Sequence, residues 1–466
     1  MMARTLFEKV WDTHVVRDLG DGWAVLHIDR QLLHDLSGPP SFAELRRRRL
    51  PVHAPELTFA TPDHLVSTAV DRRHDPAELG GAMWEILRQG SAEAGIRTFD
   101  IGDGSQGIVH VIGPELGIVL PGLTVICGDS HTCTNGALGA LAFGVGNTQC
   151  TQVLATQVLT QHKPAQFRIT IDGPLTPSVT AKDLALSLIG RFGAAAGTGH
   201  AIEYAGSTVR TMGMEARLTL CNLTVELGAQ IGMIAPDETT FEWLRGRPLA
   251  PTGPLFDAAL EDWRRLRSDD DAVFDRQESV EASAIEPMVT WGTSPEHAVS
   301  IAGTVPDPAD APDAQRADAW RAALDYMDLR AGQPMAGTPI DWVFVGSCAN
   351  ARLSDLHAAA AVARGRQVAA GVRAWVVPGS ESVRRDAEAE GLHEIFQSAG
   401  FEWRRPGCSM CVAANGDHVP AGARCVSTSN RNFVGRQGPG ARTHLASPAM
   451  AVAAAITGAL TDVRAL

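Results

Sequence analysis

"DWVFVGSC" at residues 341–348 is followed by "LHAAAAVARG" at 356–365, "RAWVVPGS" at 373–380 and "SVRRDAEAEGLHEIFQSAG" at 382–400. The first and third are short runs of β-branched and aromatic residues that stop in glycine, serine or proline. The second and fourth carry helical spacing, and 382–400 is expected as one helix. Strand, helix, strand, helix in that order predicts an α/β fold with a mostly parallel, doubly wound sheet. In such sheets functional groups collect in loops at the carboxyl ends of the strands, where "GSC" and "PGS" both fall.

The same alternation extends toward the N-terminus. "LTVICGDSH" (123–131) is an apolar run ending abruptly in polar residues, and "CTQVLATQVLTQ" (150–161) is expected as a helix. "FRITIDG" (167–173) alternates as a strand does. The next stretch, "PSVTAKDLALSLIGRFG", opens a helix with Thr180 as N-cap and Asp183 three residues on. "VPDPADAPDA" (305–314) has linker composition, and "LASPAMAVAAAITGAL" (445–460) is a closing apolar helix. A chain of 466 residues fits about three domains of ~150 residues. The expected segments are 1–164, 165–300 and 301–466.

Net charge is −13, from 53 acidic and 40 basic side chains. That balance disfavours a nucleic-acid surface, which needs a basic stripe. The one basic run, Arg46 to Arg49, is expected as a solvated helix end. No apolar leader opens the chain and no apolar run is long enough to cross a bilayer, so a cytoplasmic protein is expected. Its eight cysteines are then expected to be reduced.

Three constellations carry chemistry. Cys348 ends a predicted strand, and "GCSMC" holds Cys408 and Cys411 in a later loop. Metal or cluster ligation, a redox pair and buried thiols are all compatible with this spacing. Cys127, Cys133, Cys150, Cys221 and Cys425 are expected as small core residues. The second constellation is acidic and imidazole-bearing: Asp63–His64 in "FATPDHLVS", His110 on an apolar strand in "QGIVHVIG", and Asp129, Ser130 and His131 in "CGDSHT". Carboxylates beside imidazoles suit proton transfer near neutral pH. The third is "SNRNFVGRQG" (429–438), whose Asn430, Arg431 and Arg436 suit carboxylate binding.

Taken together these stretches resemble the aconitase superfamily, and most closely the large subunits of isopropylmalate dehydratase. The likeness runs over nearly the whole chain, through "IDRQLLHDL", "TFATPDH", "CGDSHT", "GALGALAFGVG", "VFVGSC", "PGCSMC" and "STSNRNFVGRQG". It implies three α/β/α domains around a central cluster site. It also implies one [4Fe–4S] cluster on Cys348, Cys408 and Cys411, with one iron left open. Under the same resemblance His64, oriented by Asp63, gives a proton to a departing hydroxyl. His110 with Asp129, and His131 with Glu203 of "GHAIEYAG", form imidazole–carboxylate pairs. Arg431 and Arg436 grip substrate carboxylates, with His34, Ser130 and Asn430 as further polar contacts.

The implied activity is a hydro-lyase that isomerises 2-isopropylmalate to 3-isopropylmalate by dehydration and rehydration, in leucine biosynthesis. Such enzymes take a catalytic serine from a "GSSRE"-type loop, which occurs nowhere in these residues. A separate small subunit is therefore the expected partner. Departures from the family pattern occur at Ala349 and Ala351, where Thr and Ser are usual, and at Cys133 and Asn135, where a small residue and His are usual. They leave open a related hydroxy-dicarboxylate substrate (citramalate or citraconate, dimethylmalate, homocitrate or another malate derivative). An RNA-binding regulator is the rival class, and the acidic charge weighs against it.

Overall fold

The computed structural model describes residues 3–72 and 78–466. Its chain forms two compact units. One comprises Met1–Leu65, His74–Pro174 and Ala195–Ala282, the other Val66–Arg73, Leu175–Ala194 and Ser283–Leu466.

The first unit holds a five-stranded parallel sheet in the spatial order Arg97–Thr98, Thr58–Ala60, Arg30–Leu33, Thr124–Cys127, Leu141–Gly144. Leu32 is in register with Phe59 on one side and Cys127 on the other. Thr124–Cys127 is buried at every position, as expected for a central strand covered on both faces. A second parallel sheet, Ile231–Ile234, His200–Ala205, Ala165–Asp172, Arg276–Glu281, lies in the same unit. An antiparallel sheet of Val15–Gly20, Trp23–His27 and Val158–His162 completes it. Gly136, in the 3₁₀ segment Ser130–Leu138, packs against strand Ile231–Ile234 so closely that a Cβ there would lie 1.8 Å from the Gly232 carbonyl oxygen.

In the second unit the sheet order is Glu402–Trp403, Arg373–Val376, Trp342–Val345, Arg424–Ser427, Arg442–Leu445, all parallel. Helices Leu353–Ala363 and Pro448–Thr457 pack their alanine-rich faces on it, and Val343, Val345, Ala359, Ala363 and Ala451 are fully buried. The capping box at Thr180 forms: its backbone N–H and hydroxyl both donate to Asp183 Oδ2, at 2.9 and 2.8 Å.

Three local expectations are corrected. Residues 382–400 form two helices, Glu381–Ala389 and Leu392–Ala399, because Gly391 adopts a left-handed φ of 72° that no helix continues. The helix expected over 150–161 ends at Thr156. Gln157 turns left-handed at φ 59°, and Val158–His162 pairs as a strand with Trp23–His27. His110 lies on helix Val109–Glu115, not on a strand; the segment from Val109 to Pro114 is buried throughout, so no polar face betrays its helical period. The run Arg46–Arg49 does end a helix, Gly38–Arg48, with Arg47 and Arg48 paired to Glu44. Among the described residues, no helix is long and apolar enough to cross a membrane.

Candidate active site

Strands Arg30–Leu33, Thr58–Ala60 and Thr124–Cys127 are parallel neighbours, so their carboxyl ends open on the same edge. The chain leaving the first carries His34 and Asp35, the second Asp63 and His64, the third Asp129, Ser130 and His131. This is how residues far apart in sequence come together. His64 Nδ1 lies 2.5 Å from Asp63 Oδ1 and His64 Nε2 lies 3.1 Å from Asp129 Oδ2. His131 Nδ1 is 3.2 Å from Asp129 Oδ1, and His110 Nε2 is 3.8 Å from the same oxygen. Asp63 Oδ2 accepts the Val109 N–H at 2.9 Å, which aligns the helix start that carries His110. The His34 ring stacks on His64, with centroids 4.5 Å apart.

Burial would raise the Asp129 carboxyl, but the imidazoles of His110, His131 and His64 around it hold it well below the usual range. Asp63 is likewise lowered: burial opposes ionisation, and the adjoining His64 outweighs it. Burial, then the neighbouring His64 charge, pushes the His34 imidazole down to about 4, so it is neutral. The Leu36 N–H donates to His34 Nδ1 at 3.2 Å, which places the ring hydrogen on Nε2. That Nε2 is buried and has no hydrogen-bond partner among the described residues. A fixed N–H donor of this kind is suited to a ligand oxygen.

His131 does not meet Glu203. Its Nε2 lies 3.1 Å from Glu226 Oε1, on the 3₁₀ turn Leu223–Leu227. Glu203, on strand His200–Ala205, accepts a 2.6 Å hydrogen bond from Ser268. Both acids are buried, and nothing in their local patterns distinguishes the partner from the bystander. Glu226 is thus the carboxylate beside His131 that sequence reasoning missed. Of the two departures nearby, Cys133 is within 3.5 Å of the Asn222 carbonyl, and the Asn135 amide lies 3.4 Å from His110 Nδ1.

The second unit presents the cysteines. Strands Trp342–Val345 and Arg424–Ser427 are adjacent and parallel, so the loops that follow them meet. Asn430 joins them: its Nδ2 donates to Cys348 Sγ at 3.4 Å, and its Oδ1 lies 3.3 Å from Cys411 Sγ and 2.7 Å from Ser347 Oγ. All eight cysteines are free thiols. Five are fully buried, whereas Cys348, Cys408 and Cys411 keep 7, 6 and 6% of their surface open. Burial pushes the Cys150 thiol up to about 12, as expected of an inert core residue. Left-handed, non-glycine backbone lies beside these three cysteines, with φ 84° at Ser347, 51° at Ser409 and 54° at Ala413. Such strain persists only where the surroundings enforce it, and it gathers at functional sites. Thiolates are the donors that iron–sulfur clusters take, and Asn430 brings two of these thiols, Cys348 and Cys411, together. In the adjoining loop Arg436 Nε is buried without a partner among the described residues. The Arg431 guanidinium lies 6.0 Å from the Phe433 ring centre.

The sequence pattern of the aconitase family (aconitate hydratase) matches residues 8–458. The chain belongs to the aconitase family. It is 61% identical to the 3-isopropylmalate dehydratase large subunit 1 of Bradyrhizobium diazoefficiens, over 100% of this chain and 97% of that one. To the 3-isopropylmalate dehydratase large subunit of Roseiflexus castenholzii it is 52% identical, with 99% of each chain covered. Among solved structures, the crystal structure of Thermococcus kodakaraensis aconitase X (holo-form) aligns with 92% of this chain and 89% of its own, at 12% identity and a TM-score of 0.47. The α/β architecture expected from the strand–helix alternation is present in both units, as three parallel sheets with helices packed on them.

Proposed function

We propose that this chain is the cluster-bearing large subunit of a dehydratase that interconverts 2-isopropylmalate and 3-isopropylmalate through an enoate, with segments 1–164, 165–300 and 301–466 as its three domains. The full-length identity to two proteins of that name supports this reading. The observation that carries it is the meeting of the Cys348 and Cys411 thiols at Asn430, with Cys408 in the same loop as Cys411. Cys348, Cys408 and Cys411 would hold one [4Fe–4S] cluster, whose fourth iron supplies Lewis acidity toward the substrate hydroxyl.

The chain's own residues have distinct tasks. His64 would give its proton to the departing hydroxyl, with Asp63 at Nδ1 setting the ring. Asp129 would hold His64, His110 and His131 in one array, and Glu226, in place of Glu203, would orient His131. Arg431 and Arg436 would take the two carboxylates, and His34, Ser130 and Asn430 would complete the polar lining. A small subunit would contribute the base.

Iron and acid-labile sulfide in the anaerobically reconstituted chain test the ligand set. Cys348→Ser should lose the cluster, and Cys221→Ser should keep it. Full iron content in Cys348→Ser would overturn the assignment. A panel of isopropylmalate, citrate, citramalate and homocitrate, with the small subunit present, tests the substrate.

A further inference from the structure

The segment Val66–Arg72 continues the chain from His64, and it is hydrogen-bonded along its length to the loop that carries Cys408 and Cys411. Val66 O accepts the Asn415 side-chain amide at 2.8 Å. Thr68 O accepts the Arg405 N–H at 2.8 Å, and Arg72 donates to Pro406 O at 3.2 Å. The Thr68 hydroxyl is the hub: it donates to Asp417 Oδ2 at 2.6 Å and accepts from Arg404 Nε at 2.9 Å. Asp417 also accepts from Arg404 Nη2 at 2.7 Å and from Ser409 Oγ at 2.9 Å. Ser409 stands between the two cysteines with a left-handed φ of 51°. Thr68 and Ser409 are fully buried, and the Arg404 guanidinium is stacked 3.7 Å above the Trp375 ring. A strained serine is thus held by a carboxylate that the same hydroxyl, Thr68, also engages.

We propose that Thr68 is a positioning residue that ties the chain leaving His64 to the cysteine loop, so that the order of residues 66–72 follows the occupancy of that loop. The inference rests on the cluster assignment above. With ligand bound to Cys408 and Cys411 the loop is fixed at Ser409, Asp417 and Arg404, and Thr68 is fixed with it. Without ligand the strained turn is free to relax, and the segment loses its anchor. A purely structural network would lower stability when cut, but it would not link metal occupancy to local opening.

Hydrogen exchange of peptides spanning 66–72, in cluster-loaded and cluster-stripped protein, reads the link. Stripping should speed exchange there by about tenfold or more, the range of local opening equilibria. Loaded Thr68→Val should keep wild-type iron content while its 66–72 exchange is already fast. Assayed with the small subunit, it should lose kcat with little change in KM, and Thr68→Ser should restore both. Equal exchange in loaded and stripped wild type would overturn the proposal, and that comparison decides even if Thr68→Val does not fold. Failure of the wild type to take up iron and sulfide would instead remove the cluster assignment, and this inference with it.

Discussion

His444 shows how one buried ring fixes its own protonation state. Its Nε2 accepts from Arg424 at 2.9 Å and its Nδ1–H donates to the Thr290 carbonyl at 2.5 Å, so no lone pair is left for a proton. Burial, then the Arg424 charge, pushes it down to about 3. Unfolded, the ring titrates near 6.5. The folded value is the lower one, so its stabilising contribution is complete above pH 6.5 and is lost as pH falls toward 3, at up to about 1.4 kcal/mol per pH unit. Denaturant midpoints at pH 7 and pH 5 should therefore fall further apart in the wild type than in His444→Gln. Equal losses would contradict a neutral His444.

At the same scale, His64→Ala should lower kcat by about 10²-fold or more with iron content intact, because a positioned acid contributes ~10²–10⁴-fold. Glu226→Gln should cost about tenfold or more of that catalysis, whereas Glu203→Gln should act on stability. Turnover measured with the small subunit separates the two, and the reverse ranking would restore Glu203 as the partner. Cys348 and Asp129–His131 were legible as candidates because each follows a strand with an abrupt polar switch, whereas Cys408 and Cys411 stood out only as a closely spaced pair in a loop. Glu226 was not, since a carboxylate reaching a histidine 95 positions away leaves no local trace.

Between elements, the site of the first unit is a consequence of parallel strands. Adjacent strands ending on one edge bring His34, His64 and Asp129 together without any sequence proximity. Of these strands, only the apolar run that ends at Cys127 was readable in advance; the short strands Arg30–Leu33 and Thr58–Ala60 were not. Helix ends were less readable, because Gly391 and Gln157 break their helices through backbone conformation and not through a change in hydrophobic pattern. His110 was misplaced for a related reason: a segment buried on all sides has no period to detect. Close approach between elements gives a further expectation. Gly136→Ala should destabilise the fold by about 1–3 kcal/mol, the range for overpacking, because its Cβ would meet the Gly232 carbonyl. Gly213→Ala, with nothing within 4 Å of the added atom, should cost less, about 0.5–1 kcal/mol, as a change of helix N-cap alone. Chemical denaturation checks both, and equal effects would contradict the packing account.

For the whole molecule, the family is established by a match along residues 8–458 and by relatives more than half identical over their full length. The departures at Ala349, Ala351, Cys133 and Asn135 leave every proposed ligand and proton carrier in place, which is why the same chemistry is expected of this chain. An acidic chain of net charge −13 fits a partner recognised by shape and side-chain chemistry better than one held by phosphate contacts. The central claim is that this chain supplies the cluster and the acid, while the small subunit supplies the base. One measurement tests it most directly: turnover of 2-isopropylmalate by the cluster-reconstituted chain, with and without the small subunit from the same organism. Formation of 3-isopropylmalate only when both are present is the predicted result. Robust turnover by the chain alone, or none with both present and the cluster loaded, would contradict it.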